Sequence, residues 1–206
     1  MKTILVANPK GGAGKTTLAT NLSGALAAGG AQVSLWDLDR QKSSLQWLGV
    51  RSESLPRIDR LGERNRSGDV PKGGGWLVVD SPAGLHGKNL AHAIKLAERI
   101  LVPVQPSLFD MAATGEFLAG LLQEKSVRKH GAFIGIIGMR VDPRTRAAAT
   151  LEVFLRQFDL PVLTYLRDTQ LYANAAFNGL SIFDLPPYAS ARDVVQWEPL
   201  LEWLRH

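Results

Sequence analysis

The stretch "NPKGGAGKTT", residues 8–17, decides the fold. It follows the apolar run "TILVAN" (3–8) and precedes an Ala- and Leu-rich run, 15–28, that stops at Gly29-Gly30. A strand, a glycine loop and a helix in that order bring backbone amides and a helix N-terminus to one point, which suits phosphate. Gly11, Gly12 and Gly14 let the backbone bend around an anion. Lys15 is placed to meet β and γ phosphates, and Thr16 can offer its hydroxyl to Mg²⁺. The general pattern Gly-x-x-x-x-Gly-Lys-Thr is not met as written, because Asn8 or Pro9 stands at its first glycine. A bare glycine turn before a helix would need no lysine followed by two threonines. Lys10 is a second lysine where a phosphate loop needs one.

Outward from this loop, short apolar runs recur: "QVSLWDL" (32–38), "WLVVDS" (76–81), "RILVPV" (99–104), "FIGIIGM" (133–139) and "PVLTYL" (161–166). They are apolar without alternation, as expected of a parallel sheet covered on both faces. Helical patterns lie between them. Residues 111–129 place Phe117, Leu118, Leu121 and Leu122 on one face, and 146–158 do the same with Leu151, Phe154, Leu155 and Phe158. The expected fold class is α/β, a doubly wound, mostly parallel sheet with helices on both faces, in a single domain over 1–206. Residues 49–75 are polar, charged and glycine-rich, with an expected short strand and loops. Near the end, Val194, Trp197, Leu201 and Leu204 share a helical face directed at the core, with Pro199 either kinking or starting the last helix.

Composition bounds the chemistry. The 206 residues are 45% hydrophobic, enough for a packed core. No cysteine is present, which removes disulfides and cysteine-ligated zinc or iron–sulfur clusters. The net charge of +5 permits nucleic acid or anionic lipid, and equally an ordinary basic surface. The N-terminal run is too short for a signal peptide, and no apolar stretch is long enough to span a membrane.

"KGGAGKTT" (10–17) matches the deviant Walker A motif, Lys-Gly-Gly-x-Gly-Lys-Thr-Thr. On it the chain resembles the ParA/MinD family of P-loop ATPases, closest to the small ParA-type partition ATPases. Further matches follow in order. "WDLDRQ" (36–41) resembles the family's Asp-x-Asp-Pro-Gln segment, with Arg40 in place of proline. "WLVVDSPAG" (76–84) resembles the Walker B strand and the switch loop after it. "ILVPVQPS" (100–107) matches the next strand and turn. "MRVDPRTR" (139–146) resembles the segment past the adenine, with Met139 where the family often has asparagine. Residues 164–186 resemble the late pattern of strand, arginine, helix and turn.

The resemblance implies a Mg²⁺-dependent ATPase with ATP and Mg²⁺ as cofactors. Gly11, Gly12, Ala13, Gly14, Lys15, Thr16 and Thr17 would cradle the phosphates. Met139 and Arg140 would lie beside the base. Asp37 and Asp39 would stand near Mg²⁺ and the attacking water, with Asp39 the better candidate for positioning that water. Thr16, Asp39 and Asp80 would serve the metal. Lys10 would be the signature lysine, reaching the partner's nucleotide across an ATP-dependent homodimer, so that Lys10, Lys15 and Asp39 carry the catalysis.

Within the family, absent cysteines set aside the iron–sulfur branches. A tail with Arg205 as its one nearby firm cation fits poorly with the basic membrane helix of MinD-like proteins, so no membrane is expected. The small ParA type implies a cytoplasmic, nucleoid-associated protein that binds DNA without sequence preference. It would position a cargo (plasmid, chromosome or protein complex), with hydrolysis stimulated by a separate partner protein. Arg144, Arg146, Arg167 and Arg192 are the candidate DNA contacts. The alternative is a regulatory or assembly ATPase acting through protein or membrane contacts without DNA.

Overall fold

The structure, a computed structural model, describes residues 1–62, 73–85, 87–125, 127 and 131–206, with the side chains of 88 and 89 left aside. Seven strands form one sheet, β1 (Lys2–Val6), β2 (Val33–Asp37), β3 (Asp59–Arg60), β4 (Trp76–Asp80), β5 (Arg99–Val104), β6 (Phe133–Gly138) and β7 (Val162–Tyr165). Their order is β3-β2-β4-β1-β5-β6-β7, and every pairing is parallel. Parallel pairing requires crossovers, and helices supply them. These are α1 (Lys15–Ala28), α2 (Ser43–Val50), α3 (Gly87–Leu96), α4 (Leu108–Gln123), α5 (Arg146–Leu155), α6 (Leu171–Ala176), α7 (Pro187–Val194) and α8 (Glu198–Arg205).

The apolar runs bury both faces, as their lack of alternation requires. Leu5, Leu77, Val79, Ile100 and Ile136 point to one face, under α3, α4 and α5. Ile4, Val6, Val78, Leu101 and Ile137 point to the other, under α1 and the C-terminal helices. Trp197 is the largest fully buried side chain. Its indole N–H donates to Tyr172 Oη at 3.0 Å, and Phe183 packs edge-on against its ring at 5.5 Å.

Helix bounds follow local chemistry. α4 starts at Leu108, three residues before its apolar face, because the Ser107 side chain accepts from Asp110 N–H at 3.2 Å and caps it. α5 stops at Leu155 rather than 158. Gln157 and Phe158 donate to Phe154 and Leu155, three residues back, which tightens the last turn out of α geometry. Phe158 still packs edge-on against Phe154. The C-terminal apolar face is divided between α7, a 3₁₀ turn (Val195–Trp197) and α8, with Pro199 in the first turn of α8. In the polar stretch, α2 ends at Val50 and β3 is the short strand; residues 63–72 lie outside the described residues, as do 126, 128 and 129 of the expected 111–129 helix.

The order of strands fixes where a ligand can bind. α1 and the crossover after β4 leave the sheet in opposite directions from neighbouring strands, and the carboxyl ends of β1, β2 and β4 meet there. Val6, Asp80 and Asp37 stand side by side in register.

Candidate nucleotide site

The loop after β1 is held in shape by its own backbone and by a methionine. Gly12 and Gly14 take positive φ, 81° and 93°. The dihedral favours glycine at Gly14, and a Cβ there would lie 2.8 Å from Met139 Cε and push that methyl aside. Gly14 caps α1 without any side-chain bond, and no acidic residue occupies the first turn of α1. The helix N-terminus therefore presents unpaired amides and positive partial charge to the loop.

Around this loop lies a cleft of about 690 Å³. Its lining includes Gly11, Gly12, Gly14, Lys15, Thr16 and Thr17, and with them Met139, Arg140, Leu166 and residues 167–170. Asp39, Ser81 and Gln105 complete the wall. Ala13 is buried beneath the loop. Gln105 donates through Nε2 to the Gly12 carbonyl, tying β5 to the glycines. Of the sequence candidates for phosphate, base and water, all line this one cavity but Lys10 and the buried Ala13.

Lys15 is 7% exposed, and its Nζ donates to the Lys10 carbonyl at 2.8 Å. Burial lowers its pKa, against the opposing pull of Asp80 and Asp39. An ammonium held out of water beside a phosphate loop is poised for an anion stronger than a carbonyl.

Asp80 ends β4 at 1% exposure. Its Oδ2 accepts from Thr16 Oγ1 at 2.9 Å, while its Oδ1 is buried with no hydrogen-bond partner among the described residues. Burial raises its pKa to about 7, against the Thr16 hydrogen bond. An orphaned carboxylate oxygen beside a hydroxyl fits a hydrated Mg²⁺. Asp39 is half-buried in the wall, where its Oδ1 accepts from Gln41 N–H at 3.0 Å.

Asp37 is bonded through both of its carboxylate oxygens. It lies beside Asp80, but its Oδ1 accepts from Asp39 N–H at 2.8 Å. Its Oδ2 accepts from Ser44 N–H, Ser44 Oγ–H and Leu45 N–H, at 3.1, 2.8 and 3.3 Å. It anchors the start of α2 and holds the 38–42 turn, in which Lys42 takes φ 54°.

Met139 is 4% exposed and packs against Gly14, so its side chain supports the loop. Arg140 takes φ 53°, is exposed, and lies 4.0 Å from Asp168. Beyond it a second cleft of about 490 Å³ gathers Arg144, Arg167 and Arg192 and shares Arg167 and Asp168 with the first. Arg144 is bonded twice to Asp142, whose pKa it holds down at about 2. Arg167 makes a two-point ion pair with Asp193, at 2.7 and 2.9 Å. Arg192 and Arg146 are exposed; Arg146 opens α5 outside that cleft.

Comparison with known proteins agrees with this geometry. Residues 4–182 match the model of the CobQ/CobB/MinD/ParA nucleotide binding domain. The carboxysome distribution protein A of Gloeobacter kilaueensis is 32% identical over 187 residues, spanning 88% of this chain and 83% of that protein. The chromosome-partitioning ATPase Soj of Thermus thermophilus is 30% identical over 190 residues, 76% of each chain. In fold, a plasmid partition protein from Borrelia burgdorferi bound to AMPPNP superposes with a TM-score of 0.73 at 18% identity, over 98% of this chain and 99% of that one. With its glycine loop and buried lysine in one cleft, and the aspartate that ends β4 bonded to Thr16 of that loop, the chain belongs to the CobQ/CobB/MinD/ParA family, among the ParA-like partition and positioning ATPases.

Proposed function

We propose that this protein hydrolyses ATP with Mg²⁺ as an ATP-dependent homodimer that binds DNA without sequence preference and positions a cargo, under control of a separate stimulating protein. One observation carries the reading: of the two lysines in the loop, Lys15 lies in the cleft and Lys10 does not line it. A cation outside its own cleft, five residues before the buried one, suits service to a second subunit.

The roles follow from placement. The amides of 11–17 and Lys15 bind the phosphates. Thr16 and Asp80 would hold Mg²⁺, which would supply positive charge beside the phosphates. Asp39 orients the attacking water from the wall. Met139 and Arg140 would stand beside the base, together with residues 166–170 of the same cleft. Lys10 supplies positive charge in trans as charge grows on the transferring phosphate. ATP between the subunits stabilises the dimer by linkage, and phosphate release relaxes the loops after Asp39 and Asp80.

Lys10→Ala should keep nucleotide binding and lose stimulated turnover by on the order of a thousandfold, the scale of a charge supplied in trans. Undiminished turnover would remove the trans role. For DNA, three of the four candidate arginines share a cleft that abuts the nucleotide site. ATP should produce a salt-sensitive shift of unrelated duplexes, weakened by Arg192→Glu. No shift at low salt with ATP and Mg²⁺ would leave an ATPase that works through protein contacts.

A further inference from the structure

Asn8 sits at the stem of the loop, before the glycines. It is 1% exposed, and its amide is bonded at both ends. Oδ1 accepts from Lys10 N–H at 2.8 Å. Nδ2 donates to the Pro103 carbonyl at 2.7 Å and to Thr114 Oγ1 at 2.9 Å. Pro103 belongs to β5; Thr114 belongs to α4 and is 0% exposed. Only an amide fits this trio. Aspartate would set a charge against a carbonyl oxygen, and leucine would leave the Pro103 carbonyl and the Lys10 amide without this partner.

The bond from Asn8 to the amide two residues on closes an Asx turn over Pro9 and fixes the direction in which the chain leaves residue 10. Two further bonds hold the same peptide units: Gly84 N–H donates to the Pro9 carbonyl at 2.9 Å, and Lys15 Nζ to the Lys10 carbonyl. Asn8 itself does not line the nucleotide cleft. Its direct hold within the loop is on Lys10.

We infer that Asn8 is a positioning residue for the Lys10 ammonium. It acts through the Lys10 backbone, and so serves the neighbouring subunit's nucleotide rather than its own. Thr114 is the strut that ties this placement to α4. The inference rests on the trans role proposed for Lys10.

Mixed dimers separate the possibilities. Asn8→Ala alone should lower kcat by on the order of a hundredfold, as expected for a misplaced catalytic group, with the KM for ATP little changed. Mixed with Asp39→Ala subunits, which keep Asn8 and Lys10, Asn8→Ala subunits should recover about a quarter of wild-type turnover, since half of the dimers are mixed and each has one working site. Mixed with Lys10→Ala subunits they should recover nothing. The reverse pattern, recovery with Lys10→Ala and none with Asp39→Ala, would overturn the inference and make Asn8 a support of its own phosphate loop. The Lys10→Ala and Asp39→Ala mixture is the control. If that mixture stays silent, the trans reading of Lys10 has failed, independently of Asn8. Should Asn8→Ala fail to fold, Thr114→Val provides the same test through the strut, and Thr114→Ser should restore kcat.

Discussion

Asp80 carries the sharpest residue-scale consequence. Its folded pKa, about 7, stands above the ordinary carboxylate value of 3.8 because burial disfavours the charge. Between these values the folded state holds a proton that the unfolded state has lost. The nucleotide-free, metal-free protein should therefore lose stability as pH rises from about 4 to about 7, then level off. Denaturation curves at pH 5, 6 and 7.5 check this, and Asp80→Asn should flatten the dependence. A profile unchanged by Asp80→Asn would mean another group sets it. Mg²⁺ needs the carboxylate, so its affinity should rise across the same window.

At this scale the sequence was most informative where chemistry dictates residue type. That Lys15, Thr16 and Asp80 come together was legible, because the loop and the strand-end aspartate follow the family's order and spacing. Asn8 and Asp37 were not, since what they do depends on contacts 95 and 106 residues away for one, and on the start of an unanticipated helix for the other. Asn8 showed in the sequence only as the residue at or beside a missing glycine.

At the scale of elements, the C-terminal helices are held to the sheet by Trp197. Trp197→Ala should destabilise the protein by about 3–5 kcal/mol through a cavity and a lost partner for Tyr172 Oη, read as a shift in denaturation midpoint. Burial pushes the Tyr172 phenol up to about 12, so it remains a neutral acceptor at ordinary pH.

A second fastening joins α2 to the 3₁₀ turn Ile182–Asp184. Arg51 donates twice to Asp184, at 2.7 and 2.8 Å, with side chains 4% and 1% exposed. Burial pushes the Asp184 pKa up, but Arg51 and Ser181 together hold it below the usual range. This contribution is present at neutral pH and fades as pH falls below the ordinary carboxylate value. Asp184→Ala leaves a buried guanidinium unpaired and should cost about 3–5 kcal/mol. A cost below 1 kcal/mol would show that water replaces the partner.

Helix α1 was legible to the residue, because a lysine-threonine start and a double-glycine stop bracket it. The split of the last helix was not, since Val194, Trp197, Leu201 and Leu204 keep helical spacing across a 3₁₀ turn. α2 was missed because its start depends on the Asp37 side chain, a bond that no periodicity records.

For the whole molecule, continuous apolar runs alternating with helical patterns were enough to give a parallel doubly wound sheet. Strand order was not legible from pattern, because any order with right-handed crossovers buries the same residues. That order has a consequence for how the chain is made. β1 carries the nucleotide loop, yet it pairs only with β4 and β5, so Val6 waits for Asp80 and Leu101. A nascent chain shorter than about one hundred residues can make the loop's sequence but cannot give its strand neighbours, and such long-range pairing is slow. Ribosome-bound chains arrested with β5 still inside the exit tunnel should leave Lys15 open to trypsin, and release of β5 should close it. The first motif translated then waits for β5, about half the chain later, before it can acquire its shape.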